Sequence, residues 1–110
     1  MTAGLFVYGS LQPGKENAFR LERIGGQWLE GSIRGTLLDR GWGAGIGFPA
    51  LLLDEGGQEV RGYLFQSDGL EAAWPELDEF EGADYRRVPA TVSLSNGESV
   101  EAFVYELRQA

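Results

Sequence analysis

Residues 70–82 read Leu-Glu-Ala-Ala-Trp-Pro-Glu-Leu-Asp-Glu-Phe-Glu-Gly. At about 100° per residue, Leu70, Ala73, Trp74, Leu77 and Phe80 fall on one side of a helix. Glu81 falls in the middle of that apolar stripe, four residues after Leu77 and seven after Trp74. The other carboxylates of the segment, Glu71, Glu76, Asp78 and Glu79, lie off the stripe, toward water. An unpaired ionised carboxylate is costly to bury, and burial raises its pKa. A carboxylate at such a position is either a satisfied or helix-end group or a working acid/base. Asp68 is the predicted N-cap. Pro75 is expected to kink the helix or to restart it as the first residue of a second, shorter one.

Working outward, the flanking segments read as strands. Residues 3–8 form a short apolar run closed by Gly9-Ser10, which predicts a buried strand. Residues 11–14 form a turn, and 15–24 carry the spacing of a short helix that Gly25-Gly26 would end. Residues 27–39 alternate, with Trp28, Glu30, Ser32 and Arg34 on one face and Leu29, Gly31, Ile33, Gly35 and Leu37 on the other. That predicts a long strand bent at its glycines. Residues 40–48 (RGWGAGIGF) are a glycine-rich loop without the strand-to-helix context of a phosphate cradle, and read as a permissive turn. Residues 49–54 and 58–66 pair as a hairpin across Glu55-Gly56-Gly57. Residues 84–94 and 98–107 form another across Ser95-Asn96-Gly97. About six strands, one or two short helices and bent glycine-bearing strands predict an α+β fold. It would be a small, closed or nearly closed mixed β-barrel whose mouth is a natural pocket.

Composition narrows the chemistry. The 110 residues, 43% of them hydrophobic, suit a single domain spanning 1–110 with one core. The net charge of −8 argues against nucleic-acid binding, and an anionic ligand would need a local Arg to compensate. The chain has no Cys and no His. Disulfides, thiolate nucleophiles, His-dependent triads and most zinc and iron sites are excluded. Any proton chemistry falls to Glu, Asp, Lys or Tyr. Glu76, Asp78, Glu79 and Glu81 spread too widely around a helix to share one Mg²⁺ or Ca²⁺, and no cofactor or metal is expected. The first residues show no basic or long apolar leader and no lipidation start, so a cytoplasmic protein without a membrane partner is expected.

Two motifs belong together. Tyr8-Gly9-Ser10-Leu11 ends the first strand in a tight turn. Leu77-Asp78-Glu79-Phe80-Glu81-Gly82 is followed by Tyr85-Arg86-Arg87, and Ala102-Phe103-Val104-Tyr105 closes the chain's strands. In this order they resemble the γ-glutamylcyclotransferase-like family, which includes γ-glutamylamine cyclotransferases and AIG2-like proteins. The resemblance covers nearly the whole chain and implies a reaction. The free α-amine of a γ-glutamyl group attacks its own side-chain amide, releasing 5-oxoproline and an amine. It implies Glu81 as the catalytic general acid/base and the Tyr8, Gly9, Ser10 and Leu11 turn as the substrate-holding loop. One departure stands out. Family members often have a Gly-x-x-Asn-His stretch after the turn, where this chain has Gly14-Lys15-Glu16-Asn17-Ala18.

The residues are compatible with that chemistry. The substrate brings its own nucleophile, so no Ser, Cys or His is required. One carboxylate of raised pKa can take the ammonium proton and later protonate the leaving amine. The N–H groups of Gly9, Ser10 and Leu11 would stabilise the oxyanion. Tyr8 either lines the pocket or packs in the core. Ser10 either bonds substrate or shapes the turn. Tyr85 and Arg87 share a strand face; Tyr85 would line the substrate site, and Arg87 would pair with Glu81 or Asp78. Tyr105 either closes the pocket or completes the barrel. The expected partner is a small γ-glutamyl substrate, and the expected state is a monomer or weak homodimer. The alternative is a non-catalytic module binding a small metabolite on the same barrel.

Overall fold

The computed structural model describes residues 3–38 and 50–108. Strands β1 (Ala3–Val7), β2 (Gln27–Leu38), β3 (Ala50–Leu53), β4 (Gln58–Ser67), β5 (Tyr85–Leu94) and β6 (Ser99–Leu107) form one sheet in the order β3-β2-β4-β1-β6-β5. A further pairing of β2 with β5 (Gly31 opposite Leu94, Ser32 opposite Ser93) closes β2, β4, β1, β6 and β5 into a five-stranded barrel. Strand β3 is left outside as an extra strand on β2. The barrel is mixed: β1 runs parallel to β6, and the other neighbours are antiparallel. This is the small α+β barrel that the strand count and bent glycine-bearing strands predict.

Alternation along the strands sorts the apolar residues into two clusters. Phe6, Ile33, Val60, Leu64, Val92 and Val104 belong to the first, which draws on all five barrel strands and on neither helix. It fills the barrel. Their chain neighbours Leu5, Val7, Phe65 and Tyr105 belong to the second, with Leu21, Leu70, Trp74 and Leu77 from the helices. Helix α1 (Phe19–Glu22) lies beside α2 (Leu70–Glu81). Arg23 pairs with Glu76, and Arg20 lies over the Phe80 ring, so the two helices run antiparallel.

Several local expectations are corrected. The helix predicted over 15–24 is helical only at Phe19–Glu22. Before it, turns prevail, because the Asn17 N–H is drawn back to the Ser10 carbonyl at 2.9 Å. The N-cap position of α2 is Gly69, not Asp68. Gly69 donates its N–H to Ser67 Oγ at 3.0 Å, and that hydroxyl donates to the Gly25 carbonyl. Pro75 neither ends nor restarts the helix, which is continuous across it. Its ring leaves only the Glu71 carbonyl without a helical donor. Both Glu71 and Pro75 are exposed, so water can satisfy that carbonyl. β1 ends at Val7, one residue early, and β3 ends at Leu53 rather than Asp54. The glycine-rich segment 40–48 lies outside the described residues.

Candidate functional site

The site gathers where β1 runs out. Tyr8 follows the last β1 residue, and the chain then turns sharply: the Gln12 N–H and the Gln12 side-chain amide both donate to the Gly9 carbonyl, each at 3.1 Å. Asn17 braces this turn twice, through its N–H to the Ser10 carbonyl and through Nδ2 to Ser10 Oγ at 3.0 Å. Ser10 is buried, and its hydroxyl oxygen accepts from Asn17 within the turn. Leu11 is anchored by its side chain in the cluster that holds Leu77, Tyr85 and Tyr105. Among the described residues, the N–H groups of Gly9, Ser10 and Leu11 donate to no backbone acceptor. Ala18, where the resemblance leads one to look for His, is buried.

Glu81 is the last residue of α2, and Gly82 ends the helix there with φ +85° and ψ −176°. That backbone region is open essentially to glycine alone. The helix is closed by the Gly82 N–H bonding to the Asp78 carbonyl at 3.0 Å. Glu81 is half-buried, and burial pushes its carboxyl up from 4.5 to about 7. Its charge is felt by three tyrosines. Burial raises Tyr8 first and the Glu81 charge second. Tyr85 is raised in the same order. Tyr105 is raised by burial, by its bond to Asp78 and, less, by Glu81. The Glu81 charge therefore reaches Tyr8, Tyr85 and Tyr105, and the Gly9–Leu11 backbone continues directly from Tyr8.

Two of the tyrosine hydroxyls are engaged. Tyr8 donates its hydroxyl to the Tyr105 carbonyl at 2.8 Å and accepts from the Leu51 N–H at 3.2 Å. Tyr105 donates its own hydroxyl to Asp78 Oδ1 at 2.6 Å. Arg87 completes this cluster: Nε donates to Asp78 Oδ1 at 3.0 Å, and its guanidinium stacks on Trp74 (4.3 Å) and Phe103 (5.1 Å). The Arg87 bond holds the Asp78 carboxyl below its usual range. Of the two partners open to Arg87, Asp78 is the one it takes. Glu76 pairs with Arg23 and Asp78 with Arg87, so these carboxylates are spent on the helix's own attachments.

Glu106 is a carboxylate near Tyr8 that sequence reasoning missed. It is buried, accepts the Leu53 N–H on Oε2 at 3.0 Å and is bound by Arg86 through Nε and Nη2 on Oε1. The signal was present: a lone carboxylate in the apolar run Phe103-Val104-Tyr105-Glu106-Leu107 is as conspicuous as Glu81 in its helix.

A five-stranded mixed barrel with one extra strand, a braced turn after β1 and a half-buried carboxylate at a helix end defines the class. The family model described as gamma-glutamyl cyclotransferase, AIG2-like, matches residues 5–110, and the chain belongs to that family. No curated protein matches the chain. Among solved structures it is similar to an AIG2-like protein from Mus musculus, with 27% identity and a TM-score of 0.71 over 99% of this chain and 79% of that one. It is also similar to YkqA from Bacillus subtilis, with 21% identity and a TM-score of 0.75, covering 98% of this chain and 36% of YkqA. A gamma-glutamyl cyclotransferase aligns with 18% identity and a TM-score of 0.66, over 99% of this chain and 68% of that one. With YkqA and the cyclotransferase the likeness is one of fold. No helix among the described residues is long and apolar enough to cross a membrane.

Proposed function

We propose that this protein catalyses a γ-glutamyl cyclotransferase reaction, with Glu81 as general acid/base. The observation that supports the reading best is the Glu81 carboxyl, pushed up to about 7 at the end of α2 among Tyr8, Tyr85 and Tyr105. A base poised near neutrality takes a proton from the substrate's α-ammonium and holds it for return. The freed amine attacks the γ-carbonyl, forming the ring N–C bond. The tetrahedral oxyanion is received by the N–H groups of Gly9, Ser10 and Leu11. When the C–N bond to the leaving group breaks, Glu81 returns its proton to the departing amine. Over the whole cycle two protons pass from the α-nitrogen to the leaving nitrogen, and one remains on the lactam. The attack is intramolecular, so holding the substrate folded supplies much of the remaining rate.

The test is 5-oxoproline release from a panel of γ-glutamyl amines and γ-glutamyl amino acids. Wild type is expected to turn over at least one, with kcat/KM rising as pH climbs through about 7. Glu81→Gln is expected to lose about 100- to 10,000-fold. Full turnover by the variant would remove Glu81 from the mechanism. Binding of panel members without product from wild type would favour a non-catalytic metabolite-binding module.

A further inference from the structure

Among the described residues, Arg20 is a cation held in place without a carboxylate. Its Nε donates to Asn17 Oδ1 at 3.3 Å, and Asn17 in turn bonds the Ser10 hydroxyl. Its guanidinium carbon sits 4.1 Å from the centre of the Phe80 ring and 5.1 Å from that of Phe19. The side chain therefore bridges the turn after β1 and the residue next to Glu81. The other described cations are placed differently. Arg23, Arg61, Arg86 and Arg87 each meet a carboxylate, and Arg34 and Arg108 donate to backbone carbonyls. Lys15, the other cation of the turn, is exposed. Among the described residues no acidic side chain takes the Arg20 fork. With Nε spent on Asn17, the end-on edge made by the two terminal nitrogens bonds no acceptor among the described residues. A guanidinium stacked on a ring keeps its edge free for a planar, bidentate acceptor. In a chain of net charge −8 it is a local site to which an anionic ligand can be drawn.

We propose that Arg20 receives a carboxylate of a γ-glutamyl ligand, and so selects the substrate class. The inference rests on the cyclotransferase reading of the site. Such ligands offer two carboxylates: the α-carboxylate of the glutamyl group itself, and that of the leaving group when the leaving group is an amino acid. If Arg20 holds the second, the protein acts on γ-glutamyl amino acids in preference to γ-glutamyl amines.

The experiment separates these sources from each other and from the reaction. γ-Glutamylglycine, γ-glutamylmethylamide and the α-amide of γ-glutamylmethylamide are titrated calorimetrically into the Glu81→Gln protein, alone and combined with Arg20→Met or Arg20→Lys. Wild-type turnover of the same compounds is measured in parallel. Arg20→Met is expected to weaken a carboxylate-bearing ligand about tenfold or more, with part of the loss recovered in Arg20→Lys. Loss confined to γ-glutamylglycine assigns the leaving-group carboxylate. Equal loss for γ-glutamylglycine and γ-glutamylmethylamide, with the α-amide indifferent to Arg20, assigns the α-carboxylate. Equal loss for all three compounds would mark a merely structural role and overturn the proposal, as would no dependence on Arg20 or no binding by any of them. Arg20-dependent binding without 5-oxoproline from wild type would overturn the reaction while leaving the carboxylate site standing.

Discussion

In the proposed reaction, Glu81 couples chemistry to stability through one carboxyl. Its pKa is raised in the folded protein from 4.5 to about 7 by burial, so the folded state holds the proton more tightly than the unfolded chain. Stability from this group is fully present below about pH 4.5 and is lost as pH rises through about 7. Moving a carboxyl that far corresponds to roughly 3 kcal/mol as an upper figure. Glu81→Gln is neutral at every pH. The variant is therefore expected to unfold at a higher denaturant concentration than wild type above about pH 7, and at nearly the same concentration below about pH 4.5. Guanidinium midpoints at the two ends of that range measure it, and a gap that widens toward acid would contradict the burial account. Glu81 was legible in the sequence because helical periodicity is local and puts it on the apolar stripe. Arg87 was left between two partners, since a strand face shows which side a guanidinium points to and not which carboxylate it reaches. Asp78 takes it, three residues before Glu81 on the same helix.

At the scale of elements, β3 is the informative case. It is an edge strand of four residues that pairs, among the described residues, only with β2, and its other edge would present unpaired N–H groups. Two side chains from other strands or their ends cover that edge. The Tyr8 hydroxyl takes the Leu51 N–H, and Glu106 takes the Leu53 N–H. Tyr8 thus ties β3, β6 and the start of the site's turn into one unit. Tyr8→Phe keeps the ring and removes both hydroxyl bonds. It is expected to cost about 1–3 kcal/mol, because the Leu51 N–H and the Tyr105 carbonyl lose their partner, and to speed amide exchange at Leu51 relative to the barrel strands. Stability and exchange unchanged from wild type would show that β3 is held by β2 alone. The strand itself was readable from its apolar run. Its attachment was not, because the bonded groups are 43 and 53 residues apart in the chain. The short α1 was overextended for a related reason: a bond from Asn17 back to Ser10 outcompetes the first helical turn.

For the whole molecule, closure is the deciding event. The β2–β5 seam rests on two residue pairs. At its centre, a side chain on Gly31 would place Cβ 2.9 Å from the Ser93 carbonyl oxygen and 3.1 Å from Val92. Glycine is needed there for close backbone approach. Gly31→Val is expected to force the seam apart and cost about 1–3 kcal/mol or more. Amide exchange should rise first at residues 31–32 and 93–94, before β1 and β4. A variant with the wild-type midpoint and protected seam amides would mean that the barrel absorbs the extra volume elsewhere.

The sequence by itself determined the elements and their faces, because repeats of 2 and 3.6 residues are written locally. By elimination of His and Cys it also restricted any proton chemistry to carboxylates, Lys or Tyr. Only the tertiary structure decided that β2 meets β5, that Tyr8 and Tyr105 have committed hydroxyls, and that Asn17 and Arg20 join the turn to Phe80. It also decided how far burial raises Glu81. These depend on groups brought together across long stretches of chain by barrel closure, and on how much water that closure excludes. No local period encodes either.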